Sequence, residues 1–198
     1  MRFHNFNQNT PGWQTLEDTT AFANPFAEVH LVKVRTPMRP AGAAWTVLHR
    51  RGACVVAPIT AEGNLLLIRQ ERIPVREAIW EFPAGQIDEI GDASEELIRQ
   101  TALRELREES GYELAPGGEL IPLGLFFSSP GIMDEHNYLF AARPVVPSSK
   151  GTEHEATEAI GECRAFTPAE FRQMIASGEI RDANTLAAYA RMTAMGIL

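Results

Sequence analysis

Three glutamates, Glu105, Glu108 and Glu109, crowd into the run Arg104-Glu105-Leu106-Arg107-Glu108-Glu109-Ser110-Gly111-Tyr112. On a helix, residues three and four apart share a face, so the three carboxylates would stand together. Repulsion would cost a few tenths of a kcal/mol per pair, and the negative end of the helix dipole adds to it. A divalent cation reverses that account. Mg2+ suits such a place, being a hard ion held by one or two carboxylates together with substrate phosphates. A solvated acidic face is the plainer alternative. Two further groupings could carry chemistry. Asp134, Glu135 and His136 end the loop Ser128-Ser129-Pro130-Gly131-Ile132-Met133-Asp134-Glu135-His136, offering candidates for a general base beside an ordinary Pro-Gly turn. Arg69, Arg72 and Arg76 follow a short apolar run, and arginine forks suit phosphate and ribose oxygens where they are not simply solvated.

The elements that must position these groups are legible in outline. No proline or glycine interrupts 93–110, which predicts a helix of four to five turns. Asp92, three residues before Glu95, predicts a capping box, and Gly111 a left-handed end. Ala102, Leu103 and Leu106 are expected to pack on the core. Strands are predicted at Ala53–Ile59, Leu65–Arg69, Ala78–Phe82, Leu120–Phe127, Asn137–Ala142 and Ile160–Phe166. A polar loop is expected from Pro147 to Glu158. A helix from Pro168 follows the N-cap Thr167 and stops at Gly178, and a last one spans Asp182–Met195. Toward the N-terminus, Ala27–Arg35 and Ala44–Leu48 predict a hairpin. The first 25 residues are read as irregular, with Trp13, Phe22 and Phe26 as scattered anchors. Trp45 is read as packing and Trp80 as core or pocket wall.

Arg104–Tyr112, preceded by Pro83-Ala84-Gly85, closely resembles the signature of Nudix hydrolases. That signature runs glycine, glutamate, then Arg-Glu-aliphatic-any-Glu-Glu-any-Gly-aliphatic. Seven residues separate Glu96 from Arg104, as in the family, whereas Gly85 and Glu96 enclose ten residues where the family has five. The extra residues are expected in the loop around 88–93 or as a lengthened start of the helix. The resemblance implies an α+β fold, the Nudix α/β/α sandwich with a mixed sheet, over residues 49–198. Residues 1–48 resemble the N-terminal strand region of the ADP-ribose pyrophosphatase branch, which implies an antiparallel strand region serving as a dimerisation element.

By the same resemblance, Glu105 and Glu109 would bind Mg2+ directly, with Mn2+ as a possible substitute and the carbonyl of Ala84 as a further ligand. Glu108 would bind another metal or orient water, and Arg104 would hold a glutamate in place. Glu135 matches the glutamate of the SPG-x-x-x-E loop, which activates water or completes the metal site. Arg72, in a Gln-x-Arg run, and then Arg76 would meet substrate. The implied reaction is Mg2+-dependent hydrolysis of a nucleoside diphosphate sugar, foremost ADP-ribose to AMP and ribose 5-phosphate. ADP-glucose, GDP-mannose or UDP-glucose are the alternatives, as is a non-catalytic Nudix sensor of nucleotide sugars, though such domains usually lose signature glutamates retained here.

Bulk properties agree with a small-molecule enzyme. The chain has 198 residues, 44% hydrophobic and 22% charged, as in an ordinary globular protein. A formal net charge of −8 argues against nucleic acid as a partner. It also means that phosphates must meet local positive charge. Two isolated cysteines, Cys54 and Cys163, have no metal-ligand spacing. With no apolar leader and no membrane-length stretch, the expectation is a cytoplasmic protein with no membrane partner, and the resemblance implies a homodimer.

Overall fold

The computed structural model describes residues 10–87, 93–154 and 158–198. In chain order its elements are β1 (Gln14–Ala23), β2 (Glu28–Thr36), β3 (Arg39–His49), β4 (Ala53–Thr60), β5 (Leu65–Arg72), β6 (Glu77–Glu81) and β7 (Ala84–Gln86). There follow α1 (Glu95–Ser110), β8 (Tyr112–Phe127), β9 (His136–Pro147), β10 (Ile160–Phe166), α2 (Pro168–Ser177) and α3 (Ala183–Ala194). They form two compact units: the larger is Ala53–Ile87, Ser94–Phe126 and Asn137–Leu198, the smaller the remainder.

The larger unit is built on a mixed sheet of strand order β10-β5-β4-β9-β8, with β6 on β5 and β7 on β4. β4 and β9 run parallel, while β5 is antiparallel to β4, β6 and β10. The apolar runs are buried on both faces, which is why they read as continuous rather than alternating. Val55 and Ala57, Leu65 and Leu67, and Leu139 and Ala141 share one core with Phe171, Met174, Ala188 and Met192 of α2 and α3. The intervening residues Cys54, Val56, Leu66, Ile68, Phe140 and Ala142 are buried as well and point the other way. There the Cys54 thiol meets the Ile98 carbonyl of α1 at 3.2 Å. Helices therefore cover both faces, the α/β/α sandwich that the resemblance implied. Trp80 joins the core, edge-on to Phe166.

Helix α1 differs from expectation at its start. Ser94 is the N-cap, its hydroxyl accepting from the N–H of Leu97 at 3.2 Å. Asp92 lies outside the described residues, as does all but Ala93 of 88–93, where the extra residues of the signature loop are expected. Gly111 closes the helix at φ 72, as its position predicted. The buried stripe runs Ile98, Ala102, Glu105, Leu106 and Glu109, and Leu103 falls off it into solvent. Fully burying a leucine such as Leu106 is worth about 1.5–3 kcal/mol, which holds this stripe against the sheet.

The smaller unit contains the antiparallel sheet β1-β2-β3. β1 corrects the expectation of an irregular start: Thr15 to Phe22 pair along β2 as an edge strand. Nearly all of its side chains are exposed, so no core-facing alternation marks it in the sequence. Trp13, Phe22 and Phe26, expected as anchors, are also more than half exposed. The loop before β9 is laced onto β3. The Leu48 N–H donates to the Ile132 carbonyl at 2.8 Å, and the Trp45 indole to the Gly131 carbonyl at 2.8 Å. His49 Nδ1 lies 2.6 Å from an Asp134 carboxylate oxygen, and the His49 ring meets that of His30 edge-on at 4.7 Å.

The Asp134 hydrogen bond raises the His49 pKa above its ordinary value, against the opposing effect of burial, with the charges of Asp134, Asp18 and Glu28 adding to the rise. A histidine that holds its proton more tightly when folded stabilises fully below the unfolded value of 6.5 and loses that contribution as pH rises through the raised one. Thermal melts should therefore show stability falling above pH 6.5 and a flatter profile in His49→Gln. An unchanged slope in the variant would assign the fall to other groups.

Candidate active site

Two of the signature glutamates are buried by the period of α1 itself. Glu105 is 4% exposed and Glu109 1%, because they lie on the stripe that carries Ile98, Ala102 and Leu106. Ahead of them the Pro83-Ala84-Gly85 segment, which leads into β7, is pinned from both sides. The Val56 N–H donates to the Pro83 carbonyl at 2.9 Å, and the Phe82 N–H to the Thr185 hydroxyl at 2.9 Å. The Ala84 N–H then donates to Glu109 Oε2 at 2.6 Å. A side chain on Gly85 would strike the Glu105 carboxylate, so this position needs glycine for close approach. Arg104 flanks the pair, its guanidinium 2.7 Å from Glu105 Oε1 and 2.8 Å from Glu108 Oε2.

A third carboxylate completes the group. Oxygens of Glu105, Glu109 and Glu158 all lie within 4.8 Å of one another. Glu158 was not singled out from the sequence. It closes the polar loop after β9, and its one signal there was an acidic residue just ahead of a strand. Burial pushes Glu109 up to about 9; the Ala84 N–H opposes this, Glu105 and Glu158 add to it, and Arg72 opposes it. A lone carboxylate is thus costly here, and the donor set is oxygen only. Both facts fit a hard divalent cation, which would compensate the crowded charge.

Glu108 sits off the buried stripe. Its oxygens accept from Arg104 at 2.8 Å and from Arg107 at 2.6 Å, so Arg104 holds two glutamates rather than one. Arg72 is tied to Glu81, its Nε 2.8 Å from Oε1 and one Nη 2.5 Å from Oε2. Arg76 stands at φ 55, a left-handed backbone uncommon for a side chain of its size, and lines a cavity of about 370 Å3 with Arg72. Glu135 belongs to the smaller unit. There it accepts from the Ser128 hydroxyl at 2.8 Å and lies 3.2 Å from Arg50 Nε. Asp134 is engaged with His49, and His136 is buried.

A NUDIX domain model matches residues 48–189. The chain is 30% identical to the ADP-ribose pyrophosphatase of Bacillus subtilis (strain 168) over 177 residues, 89% of each protein. It is 38% identical to the methanol dehydrogenase activator of Bacillus methanolicus over 97 residues, covering 49% of this chain and 48% of that one. A solved structure described as an ADP compounds hydrolase superposes with a TM-score of 0.72 at 18% identity, covering 96% of this chain and 99% of that one, which shows a common fold. Among the described residues no helix is long and apolar enough to cross a membrane. With the glutamate-bearing helix set against the Pro-Ala-Gly segment, and the family model spanning most of the chain, this protein belongs to the Nudix hydrolases, in their ADP-ribose pyrophosphatase-like branch.

Proposed function

We propose that this chain is a Mg2+-dependent pyrophosphatase of a nucleoside diphosphate sugar, foremost ADP-ribose, releasing AMP and ribose 5-phosphate. The observation that carries it is the convergence of buried Glu105 and Glu109 with half-buried Glu158 beside Ala84 at the start of β7. Likeness to the Bacillus subtilis ADP-ribose pyrophosphatase along 89% of both chains supports the substrate. Glu105, Glu109 and Glu158 would hold the cation, Mg2+ or in its place Mn2+, together with the Ala84 carbonyl. When bound, it supplies charge neutralisation at the anhydride oxygens. The chain's own groups do the rest. Arg72 and Arg76 take phosphate and ribose oxygens with their forks. Glu108, gripped between Arg104 and Arg107, orients water or binds a further cation. Glu135 takes a proton from the water whose oxygen adds to one phosphorus as the bridging P–O bond breaks.

The reading extends to assembly and place. Residues 1–48 are the dimerisation element in this view, and 49–198 the Nudix domain. Phe22 and Leu31 are more than half exposed and share the sheet face opposite His30 and Val32, an apolar patch that a second copy of the chain would cover. The two thiols, Cys54 and Cys163, are free, which suits the reducing cytoplasm.

Assayed with and without Mg2+ on a panel of nucleoside diphosphate sugars, dinucleotides and coenzyme A, the protein should release AMP from ADP-ribose only with the cation. Preference for another sugar nucleotide would reassign the substrate, and binding without turnover would turn the reading to a sensor. Glu109→Gln and Glu158→Gln should each lower kcat by about a hundredfold or more, and Glu135→Gln by about a hundredfold; full activity in any of them removes that residue from its role. In chelator, Glu109→Gln should melt no lower than the native chain, since an amide avoids the cost of burying a carboxyl that is pushed up to about 9, and Mn2+ should raise the melting temperature of the native chain alone. Sedimentation should give a dimer that Leu31→Glu converts to monomer; a native monomer would sink the dimer proposal.

A further inference from the structure

We propose that Glu81 is a positioning residue for the reaction: it holds the Arg72 guanidinium in the one orientation that presents its free edge to the substrate's phosphates. The inference rests on the assignment of Arg72 to substrate made above.

The two residues end neighbouring antiparallel strands, Arg72 on β5 and Glu81 on β6. Their exposure is unequal: the Arg72 side chain is 39% exposed and that of Glu81 2%. A buried carboxylate with an exposed partner anchors that partner from behind. Nε and one Nη of Arg72 are taken by Glu81, at 2.8 and 2.5 Å, a fork-to-fork pairing that fixes the guanidinium plane. The other Nη has no protein acceptor among the described residues. Arg72 and Glu109 are near enough for their opposite charges to interact, which sets the guanidinium toward the carboxylate cluster. A flexible arginine loses rotamer freedom when it grips an anion; one already clamped loses less.

The same sheet face has a second unsettled polar group. In the β5–β6 register Gln70 lies between Arg72 and Glu81, 4% exposed, and its Oε1 has no donor among the described residues. A buried acceptor of that kind calls for a polar partner from ligand or solvent. Simple strand-holding does not call for the ion pair either, because apolar residues of similar volume are commonly as stable in such a place.

The test is a double-mutant cycle on steady-state kinetics with ADP-ribose, or with the panel compound turned over best. Glu81→Gln should raise KM by about fivefold or more with kcat little changed, as expected when binding common to ground and transition states is lost. Arg72→Lys, which cannot form the fork, should raise KM similarly, and adding Glu81→Gln to it should have no further effect. Should Glu81→Gln fail to fold, Glu81→Asp keeps the charge but shortens the reach by one methylene, and the same KM rise is expected at near-native melting temperature. An unchanged KM in the Glu81 variants, beside a raised one in Arg72→Lys, overturns the positioning role. An equal rise from Glu81→Gln in both backgrounds overturns it too, by making the effect independent of Arg72. An unchanged KM in Arg72→Lys overturns instead the assignment of Arg72 to substrate.

Discussion

Charge buried on the apolar stripe of a helix is the constraint around which the larger unit is arranged. Glu105 and Glu109 share that stripe with Ile98, Ala102 and Leu106, so the packing that seats α1 on the sheet also takes two carboxylates out of water. Moving carboxylates out of water is expensive unless they are paired. The surroundings answer at each point. Ala84 donates its N–H to Glu109, Arg104 lies against Glu105, and Gly85 leaves out the side chain that would collide with it. What protein groups leave uncompensated, seen in Glu109 being driven up to about 9, is the charge that a divalent cation would answer.

Rigidity around the cluster follows from how the segment before it is held. The Pro83-Ala84-Gly85 segment entering β7 hangs between β4, through Val56, and α3, through Thr185. α3 in turn packs into the core shared by β4, β5 and β9. Ala84 is therefore located by the sheet and by the α3 layer together, and a backbone N–H so located can locate a carboxylate. Arg72 is treated alike by different means, with a buried carboxylate in place of a backbone amide. In both cases an interior group fixes the direction of a charged side chain, and the cost of burying charge is offset by hydrogen bonds with defined direction.

The smaller unit follows a different logic. Its sheet has little interior of its own, and polar contacts rather than apolar burial lace the 128–136 loop to β3. His30 and His49 pack edge-on, each beside carboxylates. Such a network gives direction, and it depends on protonation state in a way that the aliphatic core of the larger unit does not.

Periodicity and punctuation determined much of this protein. Most strands of the larger unit, though not the short β7, together with α1 and its Gly111 stop, the Thr167 cap and the shared face of Glu105 and Glu109, were legible because each depends on residues close in sequence. So was the family, whose signature is local. The edge strand β1 was not, since an exposed strand stabilised by its neighbour lacks the alternation that core packing writes into a sequence. Nor was Ser94 as the cap, because Asp92 offers the same chemistry two residues earlier. Tertiary structure alone decided which carboxylates meet: Glu158 joins Glu105 and Glu109 across 49 residues of chain, while Glu108, one residue from Glu109, turns to two arginines. It alone decided that Arg72 faces Glu81. Helical geometry sets which side of α1 a residue occupies, but the partner brought to that side is set by how the sheet folds the chain back upon itself.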